Sequence, residues 1–291
     1  ILMVCLQLPN VVYARQIEDM TGRQVEIPKN IERIAGVGAG GLRLITFLQA
    51  TDQIVGVEEF EKKDQKRPYI MAQQELLDLP SLGPRHGGDP ELIIAQKPDV
   101  ILASHITKKK ANDLQLKTDI PVVVLNHGVL TKGQTYKYLY QALRLAGRVL
   151  DKEKRANKVI NYIQKTVADL NKRTEEIPAA EKKKAYIGGM RFHGAHKNGV
   201  LSTDTSYRPF SFLNTENIAS NLGSKYAAVN KEQFIVWNPS VVFIDAGGYP
   251  QVDLSKPEYN SLSAVQNKNL YLLSPVNYYN TNYSTELANA Y

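Results

Sequence analysis

Glu91-Leu-Ile-Ile-Ala-Gln-Lys-Pro98-Asp-Val-Ile-Leu102 and Glu232-Gln-Phe-Ile-Val-Trp-Asn-Pro239-Ser-Val-Val-Phe243 are two copies of one phrase. In each, a glutamate opens a short amphipathic helix. A proline follows, then a small polar residue, then a continuous apolar run that reads as a buried strand. The copies stand too far apart for a solenoid period of roughly 20–50 residues and suit one repeat per domain. The phrase therefore predicts two similar α/β lobes, each with a glutamate at an equivalent surface position.

The text around the first copy alternates strand and helix. Ile34–Val37, Gln53–Val57, Asp99–Ala103 and Pro121–Leu125 read as strands, and Leu42–Gln49 as a short helix. Apolar strands separated by helical pieces indicate a parallel sheet covered on both faces. Around the second copy, Lys184–Gly188, Val241–Asp245 and Leu270–Leu273 read as strands and Phe212–Leu222 as a helix. Between the two lies a stretch with apolar residues at helical spacing (Leu139, Leu143, Ala146, Leu150, then Val159, Tyr162, Ile163, Val167, Leu170), ended by Pro178. About 35 helical residues would span roughly 50 Å, longer than a lobe is wide, so this stretch is expected to bridge the lobes. Gly147 marks a kink, or a break near Asp151. The expected organisation is an N-terminal lobe over 15–131, a linking helix over 132–178 and a C-terminal lobe over 179–291.

A chain of 291 residues with 43% hydrophobic and 22% charged residues is ordinary globular material. Residues 1–14 are apolar and uncharged, and Val12-Tyr13-Ala14 has the small-residue pattern of a cleavage site, so they read as the remnant of a secretory signal. The alternative is a buried N-terminal strand. The single cysteine, Cys5, falls in that segment, leaving a mature chain without thiols, which suits export. Bulky Val4 before it argues against a lipid-attachment cysteine. The last residues, Ser284–Tyr291, begin a helix and stop in mid-pattern. A net charge of +7 favours anionic partners, but the lysines are dispersed or in short runs such as Lys108–Lys110, which is no nucleic-acid footprint.

Four stretches carry candidate chemistry. Gly36-Val-Gly38-Ala-Gly-Gly41 follows a strand and opens a helix, and Glu58 ends the next strand, which on paper matches a dinucleotide fingerprint. The short strand-to-strand unit, the expected export and the cation Arg43 in the first turn weigh against a dinucleotide. Anion or ligand contact and a plain structural turn both stay open. In Ser81–Glu91, Asp89 is a good N-cap, Pro90 fits the first helical position and Glu91 favours the positive helix end. Arg85 and His86 have no such local duty and are ligand candidates. In Gly188–Gly199, Arg191, His193 and His196 sit where a site edge belongs. The histidine spacing could hold a metal on a helix, but the glycines argue against a helix and no third ligand is near. Finally, Tyr207 precedes a helix, and Asn277-Tyr278-Tyr279-Asn-Thr-Asn282-Tyr283 follows the last strand. Sixteen tyrosines against seven phenylalanines supply flat contacts with polar tips, suited to a wet site, and tyrosine also binds ferric iron. No nucleophile elbow, Walker loop or paired catalytic carboxylate stands out, so no enzyme is expected.

With Asp19-Met-Thr-Gly22, Val25-Glu-Ile-Pro28, Arg33-Ile34, Leu82-Gly83, Asp89-Pro90-Glu91, Pro98-Asp99, Asn238-Pro239 and Ser261–Val265, the chain resembles the periplasmic-binding proteins of ABC importers for iron complexes and cobalamin. The resemblance implies two Rossmann-like α/β lobes joined by a single long α-helix, with a ligand cleft between them. It implies docking to an importer permease through Glu91 and Glu232. It also implies that the family's last helices are absent from this chain. Ligand-facing loops in such folds lie at the carboxyl ends of strands, which places Gly41, Arg43, Arg85, His86, His127, Arg191, His193, His196, Tyr207, Tyr278 and Tyr279 there.

The expectation is a monomeric, periplasmic solute receptor, without cofactor, catalysis or nucleic-acid partner, that hands a ferric siderophore or similar anionic metal chelate to an importer. Arg43, Arg85, His86 and Arg191 would offset the ligand's charge. The alternatives are a binder of molybdate or tungstate and a corrinoid binder. From other classes come an exported NAD-dependent oxidoreductase and an adhesion module.

Overall fold

The computed structural model describes residues 14–63, 67–127, 135–190, 195–276, 279 and 281–291. The chain divides into two compact units, Ile1–His127 with Tyr136–Lys158, and Gly128–Thr135 with Val159–Tyr291.

The first unit opens with a hairpin of β1 (Ala14–Glu18) and β2 (Gln24–Pro28), antiparallel from Ala14 opposite Pro28 to Glu18 opposite Gln24. Buried Asp19 builds its turn. The carboxylate accepts from the amides of Thr21 (2.8 Å), Arg23 (3.1 Å) and Val124 (3.3 Å), so the hairpin is tied to the sheet. That sheet contains β3 (Ile34–Val37), β4 (Ile54–Gly56), β5 (Val100–Ala103) and β6 (Val122–Val124), all parallel in the order β4-β3-β5-β6. Strands β3, β5 and β6 are buried along their whole length, which is why they read as unbroken apolar runs. Helices α1 (Gly41–Phe47), α2 (Glu59–Lys63), α3 (Pro68–Met71), α4 (Pro90–Ala95) and α5 (Lys108–Thr118) connect them.

The expected bridging stretch is two helices, α6 (Thr135–Val149) and α7 (Glu153–Lys172). They part at Asp151, whose φ of 56° ends α6. Gly147 lets them meet: a Cβ there would lie 2.9 Å from that of Ala156. The unit division falls inside α7, whose 20 residues rise about 30 Å.

The second unit contains β7 (Lys184–Gly188), β8 (Ser202–Asp204), α8 (Arg208–Phe212), β9 (Glu216–Asn217), β10 (Tyr226–Ala228), α9 (Lys231–Trp237), β11 (Val241–Asp245), α10 (Ser263–Gln266), β12 (Leu270–Leu273) and α11 (Tyr283–Ala290). Strands β12-β11-β7-β9 form a parallel sheet, and β8 pairs antiparallel with β10. The helix expected over Phe212–Leu222 is not there. Pro209 starts α8 earlier, Asn214 at φ 49° stops the chain's helical course, and β9 follows.

Both copies of the repeated phrase fold alike. Asp89 caps α4 by accepting from the amides of Glu91 (2.9 Å) and Leu92 (3.1 Å), and Asn230 caps α9 through Gln233 (2.6 Å). Each helix buries one central apolar side chain, Ile93 or Phe234, and ends on a left-handed residue, Lys97 or Asn238, before the proline and the strand. Glu91 and Glu232 occupy the second helical position and are exposed.

Candidate functional site

At the carboxyl end of β3 the chain turns at Gly38, φ 76°, against the end of β5. A Cβ on Gly38 would fall 2.0 Å from the Ser104 carbonyl oxygen, so only glycine fits. The Gly38 amide donates to Glu58 Oε1 (3.0 Å), and the Gly87 amide donates to the same oxygen (2.9 Å). Glu58 is 1% exposed. The anion held by the glycine turn is thus the protein's own carboxylate, with one oxygen taken by two backbone amides.

The residues after Glu58 form a buried corner. Arg67 pairs with Glu61 at 2.7 Å and donates to the carbonyls of Glu61 (2.5 Å) and Phe60 (3.2 Å). The Tyr69 hydroxyl donates to Glu61 Oε2 (2.7 Å). Burial raises the Glu61 carboxyl, against the pull of Arg67, Tyr69 and Arg43. Burial and Glu61 push the Tyr69 phenol well above its ordinary value. The corner's rings carry the neighbouring cations: Arg43 lies 4.9 Å over Tyr69 and Arg85 lies 5.5 Å over Phe60.

Above the corner, Arg85 and His86 are exposed at the tip of a loop in which His86, Gly87 and Gly88 all take positive φ (74°, 133° and 72°). The His86 imidazole titrates below its ordinary value through partial burial and then through the charges of Arg85 and Lys110. Lys110 stands on the first turn of α5, whose cap is Thr107 (3.3 Å). Arg85 and Lys110 give the edge a positive potential, and burial together with their charges favours the neutral His86 ring.

Beneath the glycine turn, His127 is 1% exposed and pushed down to about 3, by burial first and then by Arg43 and His105. It is neutral, with Nε2 donating to the Gly40 carbonyl (3.3 Å). The His105 ring lies 3.1 Å from the His127 carbonyl, and the His105 amide donates to Asn126 Oδ1 (3.0 Å). Arg43 is 1% exposed. Both expected ligand residues therefore sit under the surface of this edge, as does buried Gly41.

In the second unit the equivalent edge is organised by Asp245, 2% exposed at the end of β11. Its oxygens accept from the amides of Gly247 (2.8 Å) and Val276 (3.1 Å), tying the loops after β11 and β12. Burial pushes this carboxyl up to about 6, with a further push from Asp204. Asp204 is itself raised by burial, and Lys225 lowered by it. Tyr207 is 2% exposed and accepts a bond from Asn289 (3.1 Å). Burial, Asp245, Glu286 and Asp204 hold its phenol far above the ordinary range, so it stays protonated. Arg208 pairs with Glu286 (2.8 Å), joining α8 to α11.

Arg191, His193 and Tyr278 lie outside the described residues, as does the His196 side chain, whose backbone is in the short helical turn Ala195–Leu201. Tyr279 is half-buried with φ 48°. Among the described residues, no group of three or more His, Cys, Asp or Glu is placed to hold a metal ion, and no helix is long and apolar enough to cross a membrane. Sequence reasoning missed the corner of Phe60, Glu61, Arg67 and Tyr69, and missed Asp245. Phe60, Glu61 and Arg67 hide in the charged run Glu58–Arg67, and Tyr69 lies two residues beyond it; Phe60 inside that run is the signal that one side faces inward.

The periplasmic binding protein family matches residues 34–276, and the chain belongs to it. The molybdate-binding protein MolA of Haemophilus influenzae is 24% identical over 281 residues, covering 89% of this chain and 77% of that protein. The structure of MolA bound to molybdate has a TM-score of 0.72 to this chain at 21% identity, over 95% of this chain and 88% of the other. The triscatecholate siderophore binding protein FeuA of Bacillus subtilis, complexed with ferri-bacillibactin, has a TM-score of 0.65 at 17% identity, over 94% and 95%. At such identities the structural likeness establishes the fold: two α/β units with parallel sheets.

Proposed function

We propose that this chain, as a member of the periplasmic binding protein family, captures a small anionic metal species for an ABC importer, and that the species is a metal oxyanion of the molybdate type. The observation that carries the reading is the exposed pair Arg85–His86 beside Lys110, on a loop whose backbone is held by a buried carboxylate. Compact dianions suit a few fixed cations and amides. The similarity to MolA over 89% of this chain supports the same ligand class. Arg43 and His127 would act from below, by potential and packing.

A ferric chelate is the second reading. The tyrosine-rich segment that includes half-buried Tyr279 favours it, as flat phenol rings suit catecholate-sized ligands. Buried, protonated Tyr207 does not serve it as an iron ligand. Arg191, His193, His196 and Tyr278 remain candidate contacts for either ligand. Delivery would be non-enzymatic.

Thermal unfolding of the purified protein with sodium molybdate, a ferric tris-catecholate or NAD separates the readings. Molybdate is expected to raise the midpoint. A rise with the ferric complex alone would select the second reading, and a rise with NAD alone would contradict both. For delivery, we propose Glu91 and Glu232 as the points of permease contact, since each stands exposed at the same helical position of its own unit. The double variant Glu91→Ala/Glu232→Ala is expected to abolish uptake in cells while leaving ligand affinity unchanged. Loss of affinity would assign the two glutamates to the binding site instead.

A further inference from the structure

We infer that Glu58 is a positioning residue that sets the anion affinity of the first unit's edge, an inference that rests on the anion-receptor reading above. One oxygen of a buried carboxylate takes both the Gly38 amide after β3 and the Gly87 amide next to Arg85–His86. The two loops are far apart in sequence, and each needs the bond for a different reason. The Gly38 turn is already pressed against Ser104. The loop from Gly83 to Gly88 is anchored at its base, where the Glu59 amide donates to the Gly83 carbonyl (2.9 Å) and the Gly88 amide to the Pro84 carbonyl (3.2 Å). Its tip is three consecutive residues in positive φ, a conformation that His86 rarely adopts unaided. Glu58 holds that tip through the Gly87 amide. It thereby fixes where the Arg85 guanidinium stands over Phe60, two residues further along the same corner.

The clamp has an electrostatic signature of its own. A buried negative charge close to an anion site opposes the anion. If Glu58 acted by charge alone, removing that charge would strengthen anion binding. If it acts as a clamp, what counts is an oxygen within reach of two amides. The conservative variant Glu58→Gln keeps such an oxygen and loses the charge. Glu58→Ala loses both. Glu58→Asp keeps the charge and shortens the reach by one methylene.

The test is calorimetric titration of sodium molybdate into the purified full chain at neutral pH, for wild type and the three variants, with NMR exchange rates for the Gly38 and Gly87 amides. Glu58→Gln should bind within about threefold of wild type or tighter, while Glu58→Ala and Glu58→Asp should bind at least about tenfold weaker. The same two variants should exchange the Gly38 and Gly87 amides faster, with the Gly247 amide on Asp245 unchanged. Unaltered or tighter binding by Glu58→Ala and Glu58→Asp would overturn the inference, as would equal weakening by Glu58→Gln. Should Glu58→Ala not fold, Glu58→Asp against Glu58→Gln gives the same decision. If wild type binds no molybdate, the anion-receptor reading fails, and the amide exchange rates still show whether the clamp exists.

Discussion

The two units solve one structural problem with the same device in opposite electrical settings. In the first, Glu58 gathers the amides of two loops, and the neighbouring Glu61 is met by Arg67, Tyr69 and Arg43. In the second, Asp245 gathers the amides of Gly247 and Val276, and another acid, Asp204, pushes its carboxyl further up. Carboxylates serve well at such corners because one group can accept from several amides that would otherwise be buried unpaired. What differs is the counter-charge. Arginines on aromatic rings let the first edge keep its ions and present Arg85 and His86 outward. At the second edge, burial and the charge of Asp204 raise the Asp245 carboxyl to about 6.

The contrast can be broken most forcefully at the Arg67–Glu61 pair. Arg67→Met leaves Glu61 buried without its cation and is expected to cost about 3–5 kcal/mol in urea unfolding. A loss below about 1 kcal/mol would mean that water reaches the corner and that the first edge is not built on a dry ion pair.

Asp245 gives the next effect, and its sign is fixed by the direction of the shift. Its carboxyl is raised from 3.8 to about 6 in the fold, so between those values the folded chain keeps a proton that the unfolded chain has lost. The stability this supplies is full below about pH 4 and is lost as pH rises to about 6. The change is on the order of 2–3 kcal/mol. Asp245→Asn should remove that slope from a plot of unfolding free energy against pH. Persistence of the full slope would place its origin elsewhere, with Asp204 the first suspect.

The helix caps sharpen the comparison on a smaller scale. Asp89 accepts two amides and adds a negative charge to the helix start, whereas neutral Asn230 accepts one. Asp89→Ala should cost about 1–2 kcal/mol and Asn230→Ala about 0.5–1. The reverse order would show that the two copies of the phrase are not anchored alike.

Much of this was legible in the text because the signals were local. Strands buried on both faces are unbroken apolar runs, and Asp89-Pro90 announces a helix start whatever the fold. The break at Asp151 was foreshadowed by Gly147. The helix misplaced at Phe212–Leu222 shows the limit, since Pro209 and Asn214 punctuate that stretch more strongly than its apolar spacing suggests. The site was less legible because its decisive contacts join residues with no spacing rule. Nothing in the text links Glu58 to both Gly38 and Gly87, and Glu61 with Arg67 reads as one more surface charge pair. Arg43, His127 and Tyr207 were singled out by residue type, and burial then gave them inward roles.

An anion receptor of this kind requires that the first unit present fixed positive charge. Calorimetric titration of sodium molybdate into wild type and Arg85→Ala tests it most directly, because Arg85 is exposed and its removal leaves the buried corner intact. Wild type should bind saturably, and the variant with an affinity lower by about tenfold or more. Equal affinity for the two proteins would contradict it.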